Sequence, residues 1–308
     1  MRTTLRQLEV FFEVARLGSV SEAAGRLAMS QSAASSALGE LERQFDQRLF
    51  DRIGRSVRLN ALGEQLLPMA AELLDRARQI EHLLGGEEAV GHLKVGATLT
   101  IGNYLATLIV ADYLQRWPQG RAELQVHNTT TIVERLLAYE LDLGLIEGSF
   151  NHPDLAREAW VGDELVIFAA PDHPLARQRR VDLEDLAAAD WILREPGSGT
   201  RSTFEHAMRH VWGRLHVRLE LEHTEAIKRA VEAGLGLGCI SRLALRDAFR
   251  RGSLVSIEMP GLDLSRVFSF VWHRHKFRSV GMQRFLELCR ALTAGVSRSD
   301  QIELPFVP

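Results

Sequence analysis

The chain has 308 residues, is 46% hydrophobic and 25% charged, and carries a net charge of −3. That composition suits a globular protein with two or three cores, and the lack of any run of about 18 apolar residues excludes a helical membrane span. The acidic total argues against nucleic acid at first sight, yet the first 60 residues hold nine Arg against seven acidic residues, and a local basic patch is what meets a phosphate backbone.

At the N-terminus, Glu9, Glu13 and Arg16 interrupt any apolar signal core, so a cytoplasmic protein is expected. The cysteines are Cys239 and Cys289, far apart in sequence. Two such thiols suit a reducing compartment and make no metal spacing. Neither a metal nor a cofactor is expected.

Leu5, Leu8, Phe12 and Ala15 recur at helical spacing, and Gly18 ends that helix. Ser21 is placed to cap a second short helix, Glu22 to Leu27. After a tight turn at Ala28-Met29, Ser30 caps a third helix with Ala34, Leu38 and Leu41 inward. This is helix-turn-helix spacing. The outward face of the third helix is Gln31, Ser32, Ser35, Ser36 and Gly39. Gln can pair with adenine in the major groove and Ser can donate to bases or phosphates. A plain solvated face would read the same way, and the context decides. Leu49 to Leu59 forms two short strands around a Gly turn, a wing whose Arg52, Arg55 and Arg58 would lie beside flanking phosphates.

Asn60 caps a long helix to about Leu84, stopped by Gly85-Gly86. Leu62, Leu66, Met69, Ala70, Leu73, Ala77, Ile80 and Leu84 make a continuous apolar stripe. It implies pairing with a second copy, parallel or antiparallel, packing on its own N-terminal domain, or both. Pro68 predicts a kink or local break.

From His92 strands and helices alternate. Strands are expected at 92–97, 122–127, 143–147, 164–170, 191–193, 217–222, 238–240 and 267–273. Helices are expected at 101–117, 131–139, 183–188, 201–211, 226–233 and 279–292. The alternation implies an α/β chain with mostly parallel sheets.

Read in order, Leu8-Glu9-Val10-Phe11, Ser21 to Leu27, Ser30 to Ser35, Leu41-Glu42 and Leu49-Phe50-Asp51-Arg52 resemble the LysR-type transcriptional regulators over essentially the whole chain. The resemblance implies a winged helix-turn-helix (1–60), a dimerising linker helix (61–88) and an effector domain (89–308). That domain would have two Rossmann-like lobes as in periplasmic binding proteins, lobe I at about 89–162 and 267–308 and lobe II at about 163–266. It also implies promoter DNA as partner and a homodimer that doubles to a homotetramer. Thr100-Ile101-Gly102-Asn103-Tyr104, Ile146-Glu147-Gly148, Trp191 to Glu195, Gly197 to Arg201 and Glu225 to Lys228 resemble the sulfite-responsive YeiE/FinR-like subgroup. Two departures stand out. The family usually has Pro where Ser32 stands and often basic residues where Ser36 and Gly39 stand, so phosphate contacts shift toward the wing.

Three helix starts follow strand ends: Thr98 with Leu99 and Thr100, Gly199-Thr200-Arg201, and the Thr224 turn with Glu225 and Lys228. In two-lobed α/β domains ligands bind where such helix N-termini converge, and their N–H groups favour an anion. Singly, Ser and Thr at helix starts are most often plain N-caps. Together, and with Asn103 from the resembling stretch, they form the candidate effector site. Arg201 or Lys228 is the countercharge, and a sulfite-like oxyanion is the expected ligand. Glu147 can pair with Arg201 or Lys228, or accept a hydrogen bond from a protonated oxyanion and so select hydrogen-bearing species. His273 and His275 alternate on a strand end, but no third metal ligand is apparent, and a basic patch is the reading adopted. The rivals are an enzyme, for which no nucleophile elbow, P-loop or zinc motif is present, and a transport solute-binding protein, which the N-terminal part contradicts.

Overall fold

A computed structural model of the protein describes residues 2–53, 56–84, 90–148, 150–178 and 180–303. The chain divides into two units, residues 1–91 with 274–280, and residues 92–273 with 281–308.

The first unit opens with three helices, α1 (Leu5–Leu17), α2 (Val20–Arg26) and α3 (Gln31–Phe45). Thr4 and Gln7 form a capping box at the start of α1, and Gly18 closes it in the left-handed region at φ 63°. The cap of α2 is Ser19, whose Oγ accepts from Glu22 N at 3.3 Å. Ser21 is therefore a solvent-facing residue inside the helix, because the chain turns helical two residues earlier than expected. Val10, Phe11, Val14, Ala23, Ala24, Ala34, Leu38 and Leu41 share one core. Strands β1 (Phe50–Ile53) and β2 (Ser56–Leu59) pair antiparallel as the wing, with Phe50 opposite Leu59.

Helix α4 (Ala61–Leu84) starts where Asn60 Oδ1 accepts from Gly63 N at 2.9 Å. Pro68 does not interrupt it: the helix forgoes one ladder bond and continues. Leu66, Leu67 and Ala70 pack on the N-terminal core, whereas Met69, Leu73, Ile80 and Leu84 are exposed. The expected Gly85-Gly86 stop lies outside the described residues. Residues 274–280 group with this unit: Lys276 pairs with Asp75 at 2.7 Å, and the Arg76 guanidinium lies over Phe277.

In the second unit one mixed sheet runs β4 (Arg121–His127), β3 (His92–Thr98), β5 (Leu143–Glu147), β11 (Ser265–His273), β6 (Leu155–Ala169), β9 (Leu237–Ser241), β7 (Asp190–Arg194), β8 (His216–Leu221), with β10 (Val255–Ile257) on β6. Pairs β3–β4, β3–β5, β7–β8 and β7–β9 are parallel, while β11 and β6 pair antiparallel with their neighbours. "Mostly parallel" is thus corrected to mixed. The cause is β6, a 15-residue strand of which only the last part was expected. Its first half pairs with β11 and its second half with β9 and β10. The sheet thereby divides into two lobes that share β6.

Helices α5 (Leu99–Ile101), a π turn (Gly102–Ala106) and α6 (Thr107–Arg116) follow β3, and α7 (Thr129–Leu137) follows β4. Lobe II carries α8 (Leu183–Ala188), α9 (Gly199–Ala207), α10 (Thr224–Glu232) and α11 (Arg242–Arg251). Helix α12 (Val280–Leu292) closes lobe I, where Tyr113 meets Phe285 edge-on. No described helix is long and apolar enough to cross a membrane.

Candidate nucleic-acid interface and effector site

On α3, Ser30 Oγ accepts from Ala33 N at 3.2 Å and lies 3.0 Å from Ser32 Oγ. Ala34, Leu38 and Leu41 are buried, and Gln31, Ser32, Ser35 and Ser36 are exposed together on the opposite face. That face is slim, polar and uncharged, the shape that enters a major groove. Arg58 is exposed on β2. Arg52 takes its place in the β1 ladder opposite Val57, and Arg55 lies outside the described residues.

In the second unit, Thr98 Oγ1 accepts from Glu147 N at 3.2 Å and ties the ends of β3 and β5 together. Leu99 and Thr100 are buried at the start of α5. Across the cleft, Ser198 caps α9 by accepting from Arg201 N, and Gly199 N donates to Thr129 Oγ1 at 3.2 Å. Gly148 sits at φ +85°, and a Cβ there would stand 3.0 Å from Gly199 Cα. The two lobes therefore touch backbone to backbone at this seam.

Glu147 lies at the seam's base and is 1% exposed. Its Oε1 accepts from Thr200 Oγ1 at 3.2 Å. Its Oε2 is buried without a hydrogen-bond partner, although Arg266 Nη2 stands 3.4 Å away in ion-pair rather than hydrogen-bond geometry. Thus Glu147 pairs with Arg266, not with Arg201 or Lys228. Arg201 is held within lobe II by Glu205 at 2.7 Å, Glu220 at 2.8 Å and the Arg194 carbonyl at 2.9 Å, and it lies over Trp212. Lys228 donates to Glu225 Oε1 at 2.7 Å. Tyr104, delivered by the π turn, donates to the same Glu225 oxygen from lobe I. Burial and Glu225 push the Tyr104 hydroxyl pKa well up, so it stays a donor. Burial works against the Glu225 anion, but Lys228 and Tyr104 outweigh it and hold the carboxyl pKa below its ordinary value. Asn103 is exposed in the same π turn.

Sequence reasoning missed the centre of this cluster. Arg266 Nε donates to Asp163 Oδ2 at 2.6 Å, while Asp163 Oδ1 accepts from Ser241 at 2.6 Å and Ser299 at 2.5 Å. Burial alone would lower the Arg266 pKa; Glu147 and Asp163 more than offset it and keep the cation. The signal was a lone arginine opening the apolar strand Val267 to Trp272, a place where an unpaired cation would be costly. Next to the seam is a cavity of about 550 Å³, lined by Thr129, Thr130, Val133, Phe150 and Pro196 among others.

Residues 5–64 match the family model "Bacterial regulatory helix-turn-helix protein, lysR family", and residues 86–294 match "LysR substrate binding domain". The chain belongs to the LysR family. It is similar to the HTH-type transcriptional regulator YeiE of Escherichia coli K12, 43% identical over 94% of this chain and 98% of that protein. Among solved structures, a full-length OxyR variant of Pseudomonas aeruginosa aligns with TM-score 0.71 at 23% identity over 94% of each chain. The CcmR regulatory domain of Synechocystis PCC6803, in complex with 2-PG, aligns with TM-score 0.63 at 28% identity, covering 68% of this chain and 100% of that one.

As a LysR-family protein the chain is a DNA-binding transcription regulator with an effector-binding domain, in a family that is not enzymatic. The likeness to OxyR is one of fold. Cys239 and Cys289 are buried, and burial pushes both thiols up. Thiolate, the reactive form, is thereby disfavoured at both.

Proposed function

We propose that this LysR-family regulator senses a small oxyanion bearing an acidic hydrogen, of the sulfite type, bound between the lobes at Thr100, Thr200 and Glu147. The observation that carries the reading is Glu147 Oε2, buried and without a hydrogen-bond partner at the convergence of two helix starts. A carboxylate can only accept, so its complement is a ligand O–H, and the Thr hydroxyls and first-turn N–H groups supply donors to the remaining oxygens. Of the two cations read as countercharge, Lys228 is the more available, since its partner Glu225 is well exposed, whereas Arg201 is held by Glu205 and Glu220. The resemblance of Thr100 to Tyr104, Gly197 to Arg201 and Glu225 to Lys228 to the sulfite-responsive subgroup supports the same ligand class.

DNA is read by Gln31, Ser32, Ser35 and Ser36, with wing arginines on the phosphates. Two copies pair through the exposed stripe of α4, and two pairs make a tetramer in the cytoplasm. Ligand binding favours one lobe closure, changes how effector domains pack, and so shifts the spacing of paired reading helices.

The cavity beside the seam favours a second reading, a larger ligand, and the CcmR regulatory domain is a structure in complex with one ligand, 2-PG. Calorimetric titration of the full chain with sulfite, sulfate, phosphate and 2-PG separates them. The proposal expects hydrogen-bearing oxyanions to bind, sulfate to bind far more weakly, and Glu147→Gln to erase that selectivity. Unchanged affinity and selectivity in Glu147→Gln contradict it.

A further inference from the structure

We propose that Arg266 is a positioning residue for the effector, setting the hydrogen-bond direction of one threonine hydroxyl from each lobe. A guanidinium only donates. Its Nη1 donates to Thr200 Oγ1 at 2.9 Å and its Nη2 to Thr100 Oγ1 at 3.4 Å. Each hydroxyl, having accepted from arginine, sends its own hydrogen elsewhere. That of Thr200 goes to Glu147 Oε1. Among the described residues, the bond accepted from Arg266 is the one hydrogen bond of the Thr100 hydroxyl.

The site is thus polarised before any ligand arrives. Thr100 offers a donor from lobe I, and Thr200 offers one from lobe II that a ligand oxygen can take over from Glu147. The polarisation holds only if the guanidinium is itself fixed, and Asp163 fixes it through Nε while Ser241 and Ser299 hold Asp163. All these groups are nearly inaccessible; the Arg266 side chain is 2% exposed. Arginine suits this task because its rigid fork reaches three partners at once, whereas a lysine ammonium is a single point. Without it, either threonine hydroxyl is free to turn, and an anion must itself orient hydrogens that the arginine otherwise sets in advance.

This inference rests on the oxyanion reading above, and its test keeps the two apart. Full-length protein is titrated calorimetrically with sulfite and with phosphate, for wild type, Arg266→Gln, Thr200→Val and the double variant, with thermal unfolding recorded for each. An amide side chain both donates and accepts, so Arg266→Gln removes the imposed direction. The expected result is at least a tenfold loss of affinity in each single variant and a double variant little worse than either, because the arginine acts through the hydroxyl. Thr200→Ser, which restores the hydroxyl, recovers most of what Thr200→Val loses. Should Arg266→Gln fail to fold, Thr100→Val and Thr200→Val carry the test, and wild-type affinity in both overturns the inference. Folded Arg266→Gln that binds like wild type, or losses that simply add, overturns it while leaving the oxyanion reading standing. A wild type that binds neither anion overturns both.

Discussion

Gly199 has no room for a side chain, since a Cβ added there would collide with the carbonyl oxygen of Glu147 and stand 2.9 Å from Thr129 Oγ1. One residue belongs to lobe II and the other to lobe I, so their contact measures closure. Gly199→Ala is expected to act as a wedge, costing the closed form about 1–3 kcal/mol, as overpacking does. Small-angle scattering of the unliganded variant should show a wider effector domain, and anion affinity should fall by a corresponding 5- to 150-fold, roughly. An unchanged scattering profile contradicts the wedge.

The latch between Tyr104, Glu225 and Lys228 predicts an acid dependence. Glu225 titrates below its ordinary 4.5 in the folded protein. A depressed carboxyl pKa contributes stability that is present above the unfolded value and lost as pH falls through the folded one. Melting curves from about pH 3 to about pH 7 should therefore show wild type gaining more stability on the way up than Glu225→Gln does. Tyr104→Phe should reduce the same gain. Parallel curves for wild type and Glu225→Gln would show that the latch contributes nothing.

Base reading and phosphate binding separate by salt. Gln31→Ala should lower affinity for the specific site by about 1–3 kcal/mol while leaving non-specific binding nearly intact. Arg58→Ala should weaken all sequences alike and reduce the salt slope by about 1. Fluorescence anisotropy at several salt concentrations measures both. The reverse pattern would move the reading surface off α3.

The reading unit was legible because its signals are local. A cap, a buried triplet at helical spacing and a Gly turn each lie within a few residues, so Ser30, Leu38 and the wing strands fell where expected. The candidate cluster between the lobes was legible where it follows strand ends, as with Thr98, Thr100, Glu147 and Thr200. Arg266 and Asp163 were not, because their partners lie far off in sequence: Thr100 is 166 residues from Arg266 and Ser299 is 136 from Asp163. The first part of β6 carries Arg157, Glu158, Asp163 and Glu164 among its apolar residues with no clean apolar–polar alternation, which hid the crossover strand and with it the antiparallel pairs. Helix α11, rich in arginine, was overlooked for a similar reason: its inward face is only Leu243, Ala244, Leu245 and Ala248.

Met69, Leu73, Ile80 and Leu84 are exposed on α4, and Leu62, Leu73 and Leu84 recur every eleven residues. Eleven residues span close to three turns of a straight helix, so the stripe stays on one side along its length. Leu73→Glu with Ile80→Glu should dissociate the α4 pairing, read as a halved mass in sedimentation, while the N-terminal core, which uses Leu66, Leu67 and Ala70, keeps its melting transition. A dimer that survives both charges places the pairing surface elsewhere.

The most direct trial of the whole scheme is footprinting of the full-length protein on its own upstream DNA, with and without sulfite. Ligand coupled to reading-helix spacing predicts specific protection by the free protein and a shifted pattern or altered bend once the anion is added. Specific protection that is identical in the presence and absence of the anion would contradict it.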